Sequence, residues 1–512
     1  EATGFSQPVI NQEMLMQDQA RVEEEQSTIY DLNKEEELRI EVSFKETIKV
    51  LLLKGYAEIN GIALPFDPNH PIQITGKKVA IFSWKDSKIE IKGKPDICYI
   101  GKETPMVQYL MGYYLISEKR NYSNTKKVIG PRALIIGSKN SGKRTLTHTY
   151  LNYSLKHGYK PIYVDLSLSN EIGIPGSIAA NVIDNAFPNK DFVIENSLIY
   201  FNGYCSTLCG NMLGEINYSK DLYMKQIRML GNDTLGKLKN ELERFVSLYS
   251  KDEASKDSKD NRDKLVHMDK DISHNKSDEV KYIKVPHEPQ VFASGCVIHC
   301  DTPESNDLEI YREIISSFKC NYVFILDNDR LYSTLSQEYE NNKEEDNINF
   351  IKLPKSSGVV NLDPRHKSER DIKKINDYFS GYLKNFSLKP YEIDLSQVKI
   401  LEIVSSHIDN HMLPIGKKRD LNIMIREVPL IDIKENWGNY FERVLSINYF
   451  SSDLVKNIMK ANDYTNYIDE ICSATVEYFG YIVKIESNKI YIETPASELC
   501  HKIFILGAIK HK

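Results

Sequence analysis

The sequence predicts an α/β protein in three parts, in which a small β-sandwich domain precedes a central domain with a parallel sheet and a small, β-rich α/β domain follows. Three observations support this prediction. Short strand-like segments crowd the first hundred residues, strand and helix patterns alternate through the middle, and strand-like segments return after about residue 382. The 512 residues are also too many for one hydrophobic core.

Composition limits the class of protein before any motif is considered. Hydrophobic residues make up 41% of the chain and charged residues 27%, which is ordinary for a globular protein. A net charge of −6 argues against a general nucleic-acid coat protein. We expect no membrane association, because no apolar run approaches the roughly 20 residues that cross a bilayer. The first residues also lack the basic flank and apolar stretch of a secretory signal.

The cysteines do not predict a disulfide scaffold or a metal centre. Eight cysteines in a chain of this length favour a reducing compartment. Two C-x-x-x-C pairs occur, Cys205 with Cys209 and Cys296 with Cys300, and His299 stands beside the second. Zinc sites normally show tighter, paired spacings. We therefore interpret these cysteines as structural thiols and expect no metal ligands.

The first part of the chain divides into a tail and a β domain. Residues 1–25 are polar and acidic without periodicity, and we predict a flexible tail. Residues 26–118 contain segments such as ELRIEVSF, KKVAIFSW and SKIEIKG, which are rich in β-branched and aromatic residues and are separated by turn formers. Several short strands at this spacing predict an N-terminal β-sandwich domain.

Residues 119–382 are predicted to form the central domain. The segments PRALIIG, KPIYVDLSL, SGCVIHC and CNYVFIL read as buried strands that alternate with helical segments, and this alternation indicates βαβ units. Residues 250–281 contain no aromatic residue and are dominated by Lys, Asp and Ser, so we predict a disordered insertion there. Residues 383–512 return to strand-like pieces and form the predicted C-terminal domain.

A phosphate-binding motif marks the central domain. The stretch IIGSKNSGKRT, beginning at Ile135, ends a strand-like segment and opens a helical one, and Gly137, Gly142 and Lys143 satisfy the pattern G-x-x-x-x-G-K. In such a loop, backbone N–H groups and the helix N-terminus point at a phosphate, and the lysine adds a charge. The central sheet is therefore predicted to be of the P-loop NTPase type. A coincidental strand–turn–helix is the alternative.

The residue after the lysine departs from the motif. Arg144 stands where a small hydroxyl normally holds magnesium, and Thr145 follows one residue late, about 100° further around the helix. An arginine cannot ligate a cation, although its charge can face solvent or rest against a phosphate. The loop therefore predicts nucleotide binding but not metal-assisted phosphoryl transfer.

With these residues placed, the chain resembles a known family. The blocks EELRIEV, GYAEINGIAL, GSKNSGKRTLTHTYLNYSLKHGYKPIYVDL, SGCVIHC, VFILDNDRLY and LPKSSGVV resemble, in order, the RNA 5′-hydroxyl kinase-like, ATP-binding subunit of the pre-mRNA cleavage and polyadenylation factor. In yeasts this complex is called cleavage factor IA. The resemblance implies an N-terminal β-sandwich, a central P-loop domain and a C-terminal α/β domain.

The resemblance also implies ATP as the cofactor. It places Glu37 near the adenine and Lys78 alongside it, although both residues alone would be interpreted as surface charges on strands. The residues implied for the phosphates, with the first glycine of the motif, are Gly137, Asn140, Ser141, Gly142, Lys143, Arg144 and Thr145. Magnesium is a companion of ATP in this family, but its protein ligands are degraded in this sequence.

Three further elements depart from the family pattern. Active members carry an aspartate after the second strand, and this chain has Ser167 there, with Asp165 two residues earlier. A T-T-P clasp for the RNA end is replaced by NGYCSTLCGN. A polar pair after the next strand is replaced by His299 and Cys300. We therefore predict no catalytic residues and negligible kinase activity.

A cationic run follows in the region that matches the family's lid. It consists of Arg365, Lys367, Arg370, Lys373 and Lys374. The sequence leaves two alternatives open. These side chains form either a solvated helix face or a lid that faces ATP or RNA.

The leading functional hypothesis is an ATP-binding scaffold subunit of the mRNA 3′-end cleavage and polyadenylation complex that holds ATP without turning it over. The alternative is an active RNA 5′-hydroxyl polynucleotide kinase in tRNA splicing or pre-rRNA processing. A mechanochemical ATPase or GTPase is a third hypothesis, for which the sequence offers no water-positioning carboxylate. The resemblance implies two kinds of protein partner: a cleavage-factor subunit that also contacts the RNA polymerase II tail, and other 3′-end processing subunits. RNA is a further candidate partner. The resemblance also implies a role in transcription termination and a nuclear location.

Overall fold

The computed structural model describes residues 27–186, 197–209, 219–256, 290–301, 307–341, 348–359, 361, 363–381, 388, 390–405, 423–429 and 435–511. The chain divides into two compact units, and the division falls between Met106 and Val107. The predicted tail, residues 1–25, lies outside the described residues. Within those residues, no helix combines the length and the apolar character that a membrane span requires.

The N-terminal unit is a β-sandwich, as predicted. Its two long strands, β3 and β6, pair antiparallel through three register shifts, and β6 also pairs with β2 along its first half and with β1 along its second half. Alternating apolar residues such as Leu38, Ile48 and Ile81 form the core. The strands are Ser27–Leu32 (β1), Glu37–Glu41 (β2), Thr47–Ile59 (β3), Ile62–Ala63 (β4), Ile72–Thr75 (β5), Lys78–Lys92 (β6) and Ile97–Gly101 (β7).

The second unit begins with a mixed sheet in the order β11-β10-β9-β12-β8-β13-β14. Its strands are Arg132–Gly137 (β8), Ile162–Asp165 (β9), Ser177–Val182 (β10), Leu198–Phe201 (β11), Cys296–His299 (β12), Tyr322–Leu326 (β13) and Asn349–Leu353 (β14). Five strands are parallel, as predicted, but β10 is antiparallel to both β9 and β11. A β9–β10 connection without a crossover helix explains this departure from a wholly parallel sheet.

Helices cover this sheet. They are Met106–Lys126 (α1), Lys143–Lys156 (α2), Ser206–Cys209 (α3), Lys220–Lys256 (α4), Val291–Ser294 (α5), Leu308–Phe318 (α6), Asp329–Asn341 (α7) and Pro364–Ser380 (α8). The division between the two compact units falls at the start of α1, which runs without a break across residue 118, the predicted end of the first domain. Because α4 reaches Lys256, the predicted insertion starts in a helix, and its remainder lies outside the described residues.

A third sheet contains the strands that the structure describes from Pro390 onward, in the order β15-β20-β19-β18-β21-β16-β17. Its strands are Pro390–Asp394 (β15), Lys399–Ser405 (β16), Ile423–Glu427 (β17), Arg443–Asn448 (β18), Val476–Glu486 (β19), Lys489–Glu493 (β20) and Ile503–Lys510 (β21). The helices are Trp437–Tyr440 (α9), Ser452–Lys460 (α10) and Ile468–Cys472 (α11). This β-rich part packs on the central sheet, where the rings of Phe201 and Phe479 lie 5.5 Å apart.

Candidate nucleotide-binding site

The phosphate loop lies at the carboxyl edge of the central sheet, where β8 ends between β12 and β13. Residues 133–136 of this strand are fully buried, which explains their continuous apolar run. Gly137 has a φ of 142°, and a Cβ on it would lie 2.1 Å from the carbonyl oxygen of Leu326. Ser138 then donates its N–H to the same carbonyl at 3.0 Å. Only glycine fits at this turn, and the turn directs the loop away from the sheet.

Lys143 is held within the loop by backbone oxygens. Its Nζ donates to the carbonyls of Gly137 at 3.2 Å and Ser138 at 2.7 Å. The same Nζ lies 3.2 Å from Oδ1 of Asp301, at the end of β12. Partial burial opposes ionisation of Asp301, but the charge of Lys143 lowers its pKa. Helix α2 begins at Lys143 after Gly142, whose φ is 92°, so the positive end of the helix lies at the end of the loop.

The other loop residues leave donors for an anion. The hydroxyl of Ser141 is fully buried and has no hydrogen-bond partner among the described residues. Asn140 accepts from Lys367 at 3.1 Å and donates to Asn361 at 3.2 Å. Thr145 is exposed on the first turn of α2. A buried hydroxyl without a partner is unfavourable by itself, and a phosphate oxygen would satisfy it.

Arg144 does not face solvent. Its Nη2 donates to the hydroxyl of Ser167 at 3.0 Å and to the carbonyl of Ser169 at 2.8 Å, and its Nε lies 3.4 Å from Oε2 of Glu171. His148, one turn further along α2, lies 2.6 Å from the same Oε2. Burial alone would lower the pKa of Arg144, but the Glu171 carboxylate raises it. We call these five residues, Arg144, His148, Ser167, Ser169 and Glu171, the arginine cluster.

Asp165 lies behind Ser167 and is fully buried. Its Oδ1 accepts from the N–H of Ser167 at 3.0 Å and from the Ser167 hydroxyl at 2.7 Å, and it lies 3.0 Å from Nδ1 of His299. Its Oδ2 accepts from the N–H of Glu171 at 2.8 Å. Burial would raise the pKa of Asp165, but the bond from His299 and the charge of Arg144 lower it. Asp165 therefore holds a loop in place and does not replace the missing aspartate.

The cationic run on the lid helix α8 divides into three residues that face the protein and two that face solvent. Lys367 donates to Asn140, Arg370 donates to the Ser169 hydroxyl at 2.6 Å, and Lys374 donates to the carbonyl of Asn170 at 2.8 Å. These residues share one helical face, which lies against the phosphate loop and the arginine cluster. The other two cations are exposed: Arg365 begins the helix, and Lys373 pairs with Asp377.

A fully buried carboxylate joins the lid helix to the rest of the site. Asp371 accepts from the hydroxyls of Ser169 and Thr207, both at 2.6 Å. Burial would raise its pKa, but the charges of Arg370 and Lys374 lower it. Thr207 lies in the segment that replaces the clasp for the RNA end, so this segment is tied to the lid.

The four cysteines of the two C-x-x-x-C pairs lie in the protein interior, as expected for structural thiols. All four are buried, and burial raises the pKa of Cys296 and of Cys300 to about 12. His299, which adjoins them, is bonded to Asp165. Within the described ranges, no group of three or more His, Cys, Asp or Glu side chains is placed to hold a metal ion.

In the N-terminal unit, Glu37 is a buried carboxylate. Its Oε2 accepts from Nε of Arg39 at 3.1 Å, and its Oε1 accepts from the hydroxyl of Thr104. A buried carboxylate with two partners is a fixed group and not a solvated surface charge. This environment differs from the one expected for a charge on an exposed strand.

Lys78 lies on the same face of the sheet as Glu37 but further along it. The register pairs Glu37 with Phe82 and Glu41 with Lys78, so the two predicted residues are roughly 13 Å apart along the ladder. The amino group of Lys78 pairs with Oε2 of Glu41 at 2.7 Å. Glu37 and Lys78 are therefore not brought to one point.

Sequence reasoning missed several carboxylates of the site, above all Glu171, Asp301 and Asp371. One signal was available. A buried arginine requires an acidic partner, and the segment SLSNEIG offers Glu171 just after the strand that carries Asp165. No local pattern points to Asp371, because its partners are distant in sequence.

These residues fit a triphosphate better than they fit a divalent cation. The unpartnered Ser141 hydroxyl, the loop glycines and Lys143 form a cradle for phosphate oxygens. At the metal position, by contrast, Arg144 and Ser167 bond to each other, and both oxygens of Asp165 already accept hydrogen bonds. Such a site does not fit magnesium, because a guanidinium lies where the oxygen ligands of the cation would have to be.

Comparisons with known proteins agree with this geometry. Residues 31–123 match the N-terminal β-sandwich domain of polyadenylation factor, and residues 137–237 and 271–381 match the P-loop of the mRNA cleavage and polyadenylation factor CLP1. A CLP1 homolog of Culex quinquefasciatus is 29% identical over 77% of this chain and 80% of its own length. A Homo sapiens relative named polyribonucleotide 5′-hydroxyl-kinase Clp1 is 25% identical over 81% of this chain and 84% of its own length.

Two solved structures show the same fold. One Clp1p–Pcf11p complex superimposes with a TM-score of 0.67 at 19% identity and covers 95% of this chain and 98% of that one. A second, described as an extended Pcf11p–Clp1p interface with the basis for ATP loss in a point mutant, gives a TM-score of 0.68 at 17% identity and covers 95% and 99%. Because the two family matches together span more than half of the sequence, this chain belongs to the CLP1 family of P-loop, polynucleotide kinase-like proteins.

Proposed function

We propose that this chain holds ATP as a scaffold subunit of the mRNA 3′-end cleavage and polyadenylation machinery and does not transfer the phosphate. One observation carries the proposal. Arg144 and Ser167, which stand at the two magnesium-ligand positions, are bonded to each other at 3.0 Å, while the phosphate cradle around Ser141 and Lys143 is intact.

Kinase chemistry at this site lacks the groups that stabilise a phosphoryl-transfer transition state. That stabilisation comes from a metal ion, its carboxylate ligand and positioned donors. Loss of a single such group costs about 10²–10³ in rate, so several losses together leave negligible turnover. Nucleotide binding is less demanding, because the backbone of the loop and Lys143 suffice for it.

The family assignment supports the biological setting. A role in pre-mRNA processing is consistent with the polyadenylation-factor models that match both parts of the chain. The structural neighbours are Clp1p chains in complex with Pcf11p. We therefore propose that the partner is a cleavage-factor subunit of that type, which also contacts the RNA polymerase II tail. We further propose a nuclear location and a role in transcription termination. We also assign the adenosine of ATP to Glu37 and Lys78.

An active RNA 5′-hydroxyl kinase is the second candidate. The observation that favours it is the name of the human relative, which matches most of this chain. This candidate requires a divalent metal at the position where Arg144 now lies. It also requires an RNA clasp in the segment that contains Thr207.

Two measurements on the purified full-length protein separate the candidates. Mass spectrometry of unwashed protein should find intact ATP in near-stoichiometric amount. Incubation with terminally labelled ATP and a 5′-hydroxyl oligoribonucleotide should give no labelled RNA, while human polyribonucleotide 5′-hydroxyl-kinase Clp1 run in parallel serves as the positive control.

The lysine variant completes the test. Lys143→Ala should abolish retention of ATP, because the cradle loses its charge. If the unmodified chain phosphorylates RNA and Lys143→Ala does not, the chain is a kinase and the scaffold proposal is wrong. If neither protein retains ATP, the nucleotide-holding role itself is wrong.

A further inference from the structure

The metal position of this site is filled by protein. Arg144 extends from the first turn of α2 and bonds to Ser167 and Ser169, so its guanidinium lies between the phosphate-loop helix and the loop that follows β9. In P-loop proteins a cation is held between these two elements by a hydroxyl and a carboxylate. A fixed positive charge therefore occupies the region where a bound metal would place one.

The carboxylates nearby do not offer a second metal site. Asp165 has both oxygens engaged by backbone and side-chain donors, and Glu171 is bound by Arg144 and His148. Asp371 accepts hydrogen bonds at both of its oxygens. Only Asp301 is half exposed, and it pairs with Lys143.

The lid adds charge that a triphosphate would otherwise receive from a metal. Lys367, Arg370 and Lys374 lie on the face of α8 that contacts the phosphate loop and the arginine cluster. Lys143 and Lys367 lie at the phosphate loop itself. Arg144, Arg370 and Lys374 lie behind it, where Glu171 and Asp371 offset part of their charge. Cations preorganised in a partly desolvated site can balance phosphate charge without a metal, because the attraction is screened less than it is in water.

We infer that this site binds the nucleoside triphosphate as its magnesium-free anion, with Arg144 in the place of the metal and as the positioning residue for the loop that carries Ser167 and Glu171. The inference rests on the proposed nucleotide-holding function. It goes beyond that function by assigning the form of the ligand and the residue that determines it.

The test compares ATP affinity with and without magnesium. Nucleotide-free, full-length protein is titrated with ATP by calorimetry, once in excess EDTA and once in excess MgCl₂. We expect the apparent dissociation constant to be about tenfold or more larger in excess MgCl₂, because the metal sequesters the free anion that the site binds. Binding that is equally tight or tighter with magnesium would overturn the inference but leave the holding function in place. Absence of binding in both buffers would overturn the proposed function and the inference with it.

A double variant tests the role of Arg144 directly. Arg144→Thr with Ser167→Asp restores a hydroxyl and a carboxylate at the two positions, and magnesium should then tighten ATP binding by about tenfold. Arg365→Ala removes an exposed cation at the start of the same lid helix, and magnesium should weaken its ATP binding as it does in the unmodified protein. Near-ultraviolet circular dichroism establishes that the double variant is folded. A folded double variant whose ATP binding is still weakened by magnesium would show that Arg144 does not determine the form of the ligand.

Discussion

The guanidinium of Arg144 donates a hydrogen bond of 3.0 Å to the hydroxyl of Ser167, across the gap between the phosphate-loop helix and the loop after β9. Each residue alone departs from the family pattern, and together they fit each other. An aspartate at position 167 would place another carboxylate beside the buried Asp165, and a threonine at position 144 would leave Glu171 without its arginine. The two substitutions therefore form one structural unit.

We expect this pair to show a measurable coupling energy. A hydrogen bond from a charged donor in a partly buried site contributes about 1–2 kcal/mol. In a double-mutant cycle of Arg144→Met and Ser167→Ala, the loss in free energy of unfolding for the double variant should be smaller than the sum of the single losses by about that amount. The free energies of unfolding are measured by urea denaturation monitored by far-ultraviolet circular dichroism. Strictly additive effects would show that the contact contributes nothing.

Glu171 should make the second unit sensitive to acid. Burial would raise its pKa, but the charges of Arg144 and His148 hold the pKa well below the ordinary value of 4.5. The ion pair therefore contributes its full stabilisation above pH 4.5 and loses it as the pH falls through the lower folded-state pKa. Thermal unfolding at a series of pH values should show Tm falling below that point.

The variant Glu171→Gln separates this carboxylate from the other acidic groups. Its Tm should be lower than that of the unmodified protein at neutral pH, and the difference should shrink as the pH falls, because both side chains are then uncharged. Glu309→Gln, at an exposed position on α6, is the matched control and should show no such convergence. A Tm difference that is constant with pH would contradict the assigned charge of Glu171.

The sequence was sufficient to predict the three-part fold and the phosphate loop. Both rest on local signals: alternating apolar residues give strands, and the glycine spacing gives the turn at Gly137, where a side chain would strike Leu326. The antiparallel strand β10 was not predicted. Its apolar pattern resembles that of any buried strand and carries no information about direction.

The polar contacts of the site were less accessible. Asp371 and Thr207 are separated by 164 positions, and only the folded chain brings them together. The lid cations could be assigned to the site or to solvent only once their helical face was known. Lys374 faces the site and Lys373 does not, although the two residues are adjacent.

Asp301 should weaken nucleotide binding, because it competes for Lys143. The carboxylate lies 3.2 Å from the amino group that would otherwise contact phosphate, and it also repels the anion. We expect Asp301→Asn to tighten ATP binding by about threefold to tenfold, as measured by calorimetry in EDTA. Asp329→Asn changes an exposed carboxylate paired with Lys352 and should have no effect. Weaker binding by Asp301→Asn would instead make this carboxylate part of the nucleotide site.

Lys374 should take up a proton when ATP binds. Burial, with the neighbouring charges of Arg144 and Arg370, lowers its pKa to about 8. Near pH 8 part of the protein therefore carries an uncharged Lys374, and a nearby triphosphate favours the charged form. Calorimetry at pH 8 is carried out in two buffers of different ionisation enthalpy. The difference between the two apparent binding enthalpies, divided by the difference between the ionisation enthalpies, should correspond to the uptake of a few tenths of a proton.

Two lysine variants test this assignment. Lys374→Met removes the titrating group, so the binding enthalpy should no longer depend on the buffer. The variant should still bind ATP, but more weakly than the unmodified protein. Lys373→Met removes the adjacent lysine, which is exposed and paired with Asp377, and should leave the proton uptake unchanged. The lowered pKa of Lys374 also determines how the stability of the unliganded protein changes with pH. Because the folded-state pKa is below the unfolded value of 10.5, Lys374 makes unfolding less favourable as the pH rises from about 8 to that value. Proton uptake that survives in Lys374→Met would assign the titration to another group.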